Sequence, residues 1–200
     1  MTEWLASQGF FVLRMGSHSA QQLISESPRV IDYSSSPHRS AFADVFLYAN
    51  CAFSISTATG VDSLAMVLRR QMGLVNFTSN GGFQLGRHLR LLMLKDIVDV
   101  QTGERIALLS DRYREAMQCY RTDDFRRMGL ALVDNTPEDL TAFAGEFVEL
   151  LQGTWDPSLE HQARERAVLA RWGEIEDLSA ATFHLPQDWL SSRVRDIQIR

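Results

Sequence analysis

Unbroken apolar stretches of strand length recur along this chain, with helix-patterned segments between them. "FFVLRM" at residues 10–15 and "MGLVNF" at 72–77 are the clearest, and "AFSIS" at 52–56 reads as a further strand. A strand with one wet face alternates apolar and polar residues, so a run that does not alternate predicts burial on both faces, as in a parallel sheet. "VIDY" at 30–33 reads as a shorter strand and residues 130–133 as another. After Pro37, residues Phe42, Val45, Phe46 and Ala49 follow the i, i+3, i+4, i+7 spacing of one amphipathic helix face, and Val61, Leu64, Ala65 and Leu68 repeat it.

Strands and helices alternating at this pitch predict βα units and a mostly parallel, three-layer α/β domain. We place it at residues 1–155, with a helical extension over 156–200. Within the domain, Thr136, Pro137 and Asp139 supply an N-cap, a first-turn proline and a capping-box carboxylate. Leu140, Phe143, Ala144, Phe147, Val148 and Leu151 then form the inner face of a helix that Gly153 ends. Residues 110–120 read as helix, 89–94 carry no decisive period, and 96–109 have room for short strands about a Thr102-Gly103 turn. In the extension, 159–176 form an amphipathic helix and "LPQDWL" a short further element. The chain opens with two helical turns at 2–7, whereas a crossover helix normally follows a strand and runs about three turns or more. Two readings stay open here: a domain that begins with a stub helix, or a Met1 that falls inside a longer ancestral protein.

With 45% hydrophobic and 22% charged residues the chain has the balance of a folded domain, which sets disorder aside. A net charge of −5 argues against a general binder of nucleic acid or anionic membrane. No apolar run approaches the roughly 20 residues of a membrane span, and the N-terminus reads as neither signal nor transit peptide, so a soluble, cytoplasmic protein is expected. Cys51 and Cys119 lack metal-ligand spacing and read as reduced core thiols.

In open parallel sheets ligands bind at the carboxyl ends of the strands, beside helix N-termini. Those ends here are small and polar: Arg14 to His18, Ser34-Ser35-Ser36, Ser56 to Gly60, and Asn76 to Gly82. At Ser56-Thr57-Ala58-Thr59-Gly60 small side chains admit a ligand to the backbone. Thr59 is expected to cap the following helix with Asp62 at its third position. The result is a cradle for an anion, worth roughly 0.3 to 1 kcal/mol from the helix terminus. An arginine such as Arg14 in contact adds about 4 kcal/mol of gross attraction at an effective dielectric of 20. Other readings stand beside these: the small residues as a mere cap and turn, Arg14 as half of a structural salt bridge, Arg39 as either a ligand contact or a solvated side chain. His18, His38 and His88 read as surface or capping residues before catalysts. The motifs GxGxxG after a strand, GxxxxGKS/T, HExxH and CxxC are absent, which removes most support for dinucleotide oxidoreductases, P-loop NTPases and zinc hydrolases.

The ordered set "GFFVLRMG", "RVIDYSSSPHRSAFADVFLYANCAFSISTATGVDS", "GLVNF", "VDNTPEDL" and "LLQGTW" resembles a family of bacterial glycosyltransferases of the GT-B type, similar to enzymes of surface-polysaccharide synthesis. The resemblance spans roughly residues 5–155. It implies a Rossmann-like, nucleotide-sugar-binding C-terminal domain, in which Arg14, Arg39, Ser56, Thr57, Thr59, Gly60 and Asp62 surround the donor diphosphate. Asn76 and residues 79–82 would then face the sugar or base. It also implies no bound metal or other cofactor. An acceptor-binding half would precede Met1, supplied in trans by a partner polypeptide if at all, and the isolated chain would bind a nucleotide-sugar without transferring it. The alternatives are a non-catalytic nucleotide-sugar-binding remnant and a nucleotide-sugar epimerase. Catalytic groups, were the chain active alone, would be sought among His18, His38, Asp44 and Asp62.

Overall fold

The computed structural model describes residues 1–16, 21–78, 88–174, 178 and 182–194. Among them strands and helices mix in α/β order. α1 (Thr2–Ser7) leads into β1 (Val12–Leu13), then β2 (Val30–Ile31), α2 (Ala41–Asn50), β3 (Phe53–Ser56), α3 (Asp62–Val67) and β4 (Gln71–Phe77). β5 (Leu89–Leu94), β6 (Asp96–Asp99), α4 (Asp111–Ala116), α5 (Thr122–Arg127), β7 (Leu130–Val133), α6 (Pro137–Gln152), α7 (Leu159–Trp172) and α8 (Gln187–Arg193) follow. β1 pairs with β2, and β3, β4 and β5 pair in that order, all in parallel. β6 and β7 form a separate antiparallel pair.

β4 and β5 carry the core. Met72, Leu74, Leu89, Leu91, Leu92 and Met93 are fully buried, and α6 lays Phe143 and Phe147 against them. Burial of each such side chain stabilises by about 1.5 to 3 kcal/mol. α6 starts as its sequence predicts: Thr136 accepts from the Asp139 N–H, Asp139 accepts from the Thr136 N–H, and Pro137 opens the first turn. It ends at Gly153 in the left-handed region, φ 73°. Residues 89–94, undecided from their period, are a strand: β4 pairs along one edge, α6 packs against it, and all but Arg90 are buried.

Three expectations need correction. Of the 10–15 run only Val12 and Leu13 pair as strand, and Phe11 stands 66% exposed beneath the Arg29 guanidinium. Among the described strands β1 pairs with β2 alone, and both its residues are only half-buried. Second, the described strands do not join in one sheet: the antiparallel β6–β7 pair is separate from the parallel ones. α5 ends beside the last residue of β6, where the Val100 N–H donates to the Gly129 carbonyl, so β7 has to run back along β6. Third, the Phe42, Val45, Phe46 face of α2 points outward, Phe42 being 79% exposed, while Tyr48 is the residue that α2 buries. Periodicity finds an apolar face without showing what covers it.

The last described segment closes the body. His184 forms a parallel bridge to Leu91 on the edge of β5 away from β4, with the His184 N–H donating to Arg90 and the Leu92 N–H to His184. Arg193 reaches Asp96 at 3.0 and 2.9 Å and Asp139 at 3.2 and 3.1 Å, tying α8 to β6 and to the start of α6. Cys51 and Cys119 are free thiols. Among the described residues no helix is long and apolar enough to cross a membrane.

Gly73 permits the closeness of β4 and α6, since a Cβ there would lie 2.9 Å from the Phe143 ring. Gly73→Ala is expected to cost about 1 to 3 kcal/mol through overpacking. Urea unfolding measures it; an unchanged midpoint would mean that Phe143 moves aside freely.

Candidate functional site

A cleft of about 420 Å³ opens between the end of β2 and the first turn of α2, lined by Ser34, Ser35, Ser36, Arg39, Ser40, Ala41 and Asp44. The local sequence explains its shape. The Arg39 N–H donates to the Ser36 carbonyl and closes a turn around Pro37. Ser40 is extended and caps α2, its hydroxyl accepting from the Ala43 N–H at 3.1 Å and its carbonyl from the Asp44 N–H at 2.9 Å. Buried Tyr33 braces this corner from below, its hydroxyl accepting from the Ser40 N–H at 3.3 Å. The N–H groups of Ala41 and Phe42 have no acceptor within the helix and lie at the positive end of its dipole. Arg39 sits 3.7 Å from Asp44, so the cleft holds one cation and one competing carboxylate.

Asp32 organises the loop behind the cleft. It accepts from Arg14 Nε at 2.9 Å and Nη2 at 2.6 Å, from the Ser34 and Ser35 hydroxyls, and from the Leu23 N–H. Led by the Ser34 hydroxyl, these donors outweigh desolvation and hold its carboxyl well below the usual carboxylate range. Arg14 donates also to the Gln21 carbonyl. Of the two readings of Arg14, the structure realises the salt bridge. Its guanidinium fixes the serine loop and does not line the cleft.

The Ser56 to Gly60 loop is separate from that lining. Thr57 to Gly60 are exposed, and the chain passes through a left-handed residue at Ala58, φ 59°. The Thr59 cap is not made: α3 begins two residues further on, after Val61, with no side-chain cap. The roles are reversed, the Asp62 carboxylate accepting from the Thr59 N–H at 2.7 Å. Asp62 is only 4% exposed, and its Oδ1 has no partner of good geometry. Burial pushes its carboxyl up, against the Ser56 hydroxyl and the Thr59 N–H, which favour the charged form. Burial, with Asp62 nearby, likewise pushes Tyr48 up to about 12. A Cβ on Gly60 would meet nothing within 4 Å, so packing does not require glycine there.

Asn76 is occupied by the fold. It takes φ 50° where β4 shifts register against β5, its N–H donates to Asn135 Oδ1 at 2.8 Å, and its own Oδ1 accepts from the Asn135 N–H at 2.6 Å. His38 is exposed, and the His88 carbonyl accepts from the Met72 N–H. His18 and residues 79–82 lie outside the described residues. Of the eight residues assigned to a donor site from sequence, the cleft therefore takes in Arg39 alone. Asp32, Tyr33 and Ser40 were missed, although an aspartate followed at two and three residues by serines is a turn signature. Among the described residues no group of three or more His, Cys, Asp or Glu is placed to hold a metal ion.

Comparison of the chain with protein-family models, with curated proteins and with solved structures found no match in any of the three.

A raised carboxyl pKa means that the fold favours protonated Asp62, so the associated stability is full below about 3.9 and is lost as pH rises through the folded value. At neutral pH the buried charge is a cost. Asp62→Asn keeps an acceptor for the Thr59 N–H and is expected to raise the melting temperature at pH 7 by roughly 2 to 4 °C, with the gain vanishing near pH 3.5. Thr59→Ala, which removes no cap, should stay within about 0.5 kcal/mol of wild type. Thermal unfolding at the two pH values checks both.

Proposed function

We propose that this chain is the nucleotide-sugar-binding half of a GT-B glycosyltransferase, on a three-layer Rossmann-like framework, and that its donor diphosphate sits in the Arg39 cleft. The observation that carries the reading is the cleft itself: Arg39 and the first turn of α2, at Ser40, Ala41 and Asp44, line a volume of about 420 Å³ at the carboxyl end of a parallel strand. That is where open α/β sheets bind phosphorylated ligands. A phosphate oxygen in contact with Arg39 gains roughly 4 kcal/mol of gross attraction at an effective dielectric of 20, before desolvation. It displaces Asp44 from the guanidinium and is repelled by it. Arg14 and Asp32 act by holding the serine loop, and Asp62 by holding the Ser56 to Gly60 turn. Neither the protein nor the leaving diphosphate needs a metal in this scheme, since Arg39 and the helix terminus meet the charge. The acceptor is held by a separate domain or polypeptide, because transfer needs a hydroxyl in line with the anomeric carbon and a base within about 3 Å of it.

Titration calorimetry with a panel of nucleoside diphosphates tests this. Wild type should bind at least one of them. Arg39→Ala should weaken that binding about tenfold or more, and Asp44→Asn, which removes the competitor, should tighten it by up to about tenfold, or 1.4 kcal/mol. Wild type binding none of the panel, or Arg39→Ala binding as well as wild type, would overturn the reading.

A further inference from the structure

Among the described residues His161 is the least expected buried group. It lies on the inner face of α7 with Val168 and Trp172, is 1% exposed, and neither ring nitrogen has a hydrogen-bond partner. The Trp155 and His161 rings meet edge to face at a centroid distance of 5.7 Å, and the same indole lies 4.8 Å from His184. Glu165, one turn along α7, is shared among three groups. Its Oε1 accepts from the Leu185 N–H at 2.7 Å and lies 4.0 Å from His161 Nε2, while its Oε2 is 3.2 Å from His184 Nδ1. His184 and Leu185 belong to the stretch whose backbone is bridged to β5.

We propose that this cluster is a proton-operated latch: with His161 neutral, Glu165 clips residues 184–185 to the edge of β5, and protonation of His161 draws Glu165 away and opens the clip. The charged groups around the imidazole decide the direction. Glu165 alone would favour its charge, but His184 and Arg164 oppose it, and Arg164 is itself engaged by Glu160. Desolvation is the largest influence, and the imidazole is held below its ordinary range. A histidine shifted that way leaves the folded state fully stabilised above about pH 6.5 and weakens it as pH falls from there toward the folded value. Glu146 is the remaining acid of the cluster, accepting from Trp155 Nε1 and from the N–H groups of Gln187 and Asp188. Burial pushes its carboxyl up, so its protonation works in the opposite sense and does not mimic the latch. The carboxylates that lose stabilising partners in acid, Asp32, Asp99, Asp124 and Asp139, are held below the ordinary carboxylate range and act only at lower pH.

Amide hydrogen exchange of the full chain, corrected for intrinsic rates, is measured between pH 7.5 and about 4.5, a range that extends well below the ordinary imidazole value, together with the imidazole titrations by NMR. Protection at Leu92, His184 and Leu185 should fall several-fold across that range while the amides of β3 and β4 hold theirs, with a midpoint that follows His161. In His161→Phe the fall should disappear; in His184→Gln it should persist. Should His161→Phe not fold, the coincidence of the wild-type His161 titration with the loss of protection carries the test by itself. Protection independent of pH, a fall that persists in His161→Phe, or a midpoint that follows His184 instead would overturn the proposal.

Discussion

A guanidinium with 6% of its side chain exposed cannot be left without partners, and Arg193 is in that position. Removing one member of a buried ion pair typically costs about 3 to 5 kcal/mol, because the remaining charge stays out of water. Arg193 therefore demands Asp96 at the start of β6 and Asp139 in the capping box of α6, both in place. Asp139 already serves the Thr136 N–H, and Asp96 is also reached by Arg105 at 2.9 Å. The start of one helix, the end of another and the first residue of a strand are thus fixed by one planar group. The clip of His184 on β5 and the Glu146 contacts to the first turn of α8 follow from that docking.

At the cleft the same logic runs through Asp32. One carboxylate gathers Arg14 and two serine hydroxyls, and through them sets the floor on which Arg39 and the α2 terminus stand. Charge inside the body is used for position, and the groups left facing the cleft are a single cation, a helix terminus and one opposing carboxylate. Such a combination suits an anion, which is what the proposed donor diphosphate would bring to it.

What could be read from the residues was local. The Thr136 capping box, the stop at Gly153 and the strand at 72–77 rest on neighbours within a few positions, and each is present in the structure. The pairing of Arg14 with Asp32 was open because 18 residues separate them and a phosphate would serve the guanidinium equally well. Thr59 and Asp62 were assigned the right neighbourhood and reversed roles, since a hydroxyl and a carboxylate three residues apart can each accept from the other's backbone. The outward face of α2 and the reversal at Gly129 depend on tertiary packing, which a period does not contain. His161 had a local signal after all: a lone imidazole at an inner position of an amphipathic helix marks a buried polar group needing an account.

The groups that close β5 and β6 come late in the chain. His184 and Arg193 lie 93 and 97 residues beyond the partners they meet. On a ribosome adding about 5 to 20 residues per second, the outer edge of β5 waits roughly 5 to 20 s for its cover. An unpaired apolar edge is a template for any other strand. The nascent protein thus passes through an interval in which its most buried sheet is also its stickiest surface, and its yield in a cell depends on what shields that edge until translation reaches the end of α8.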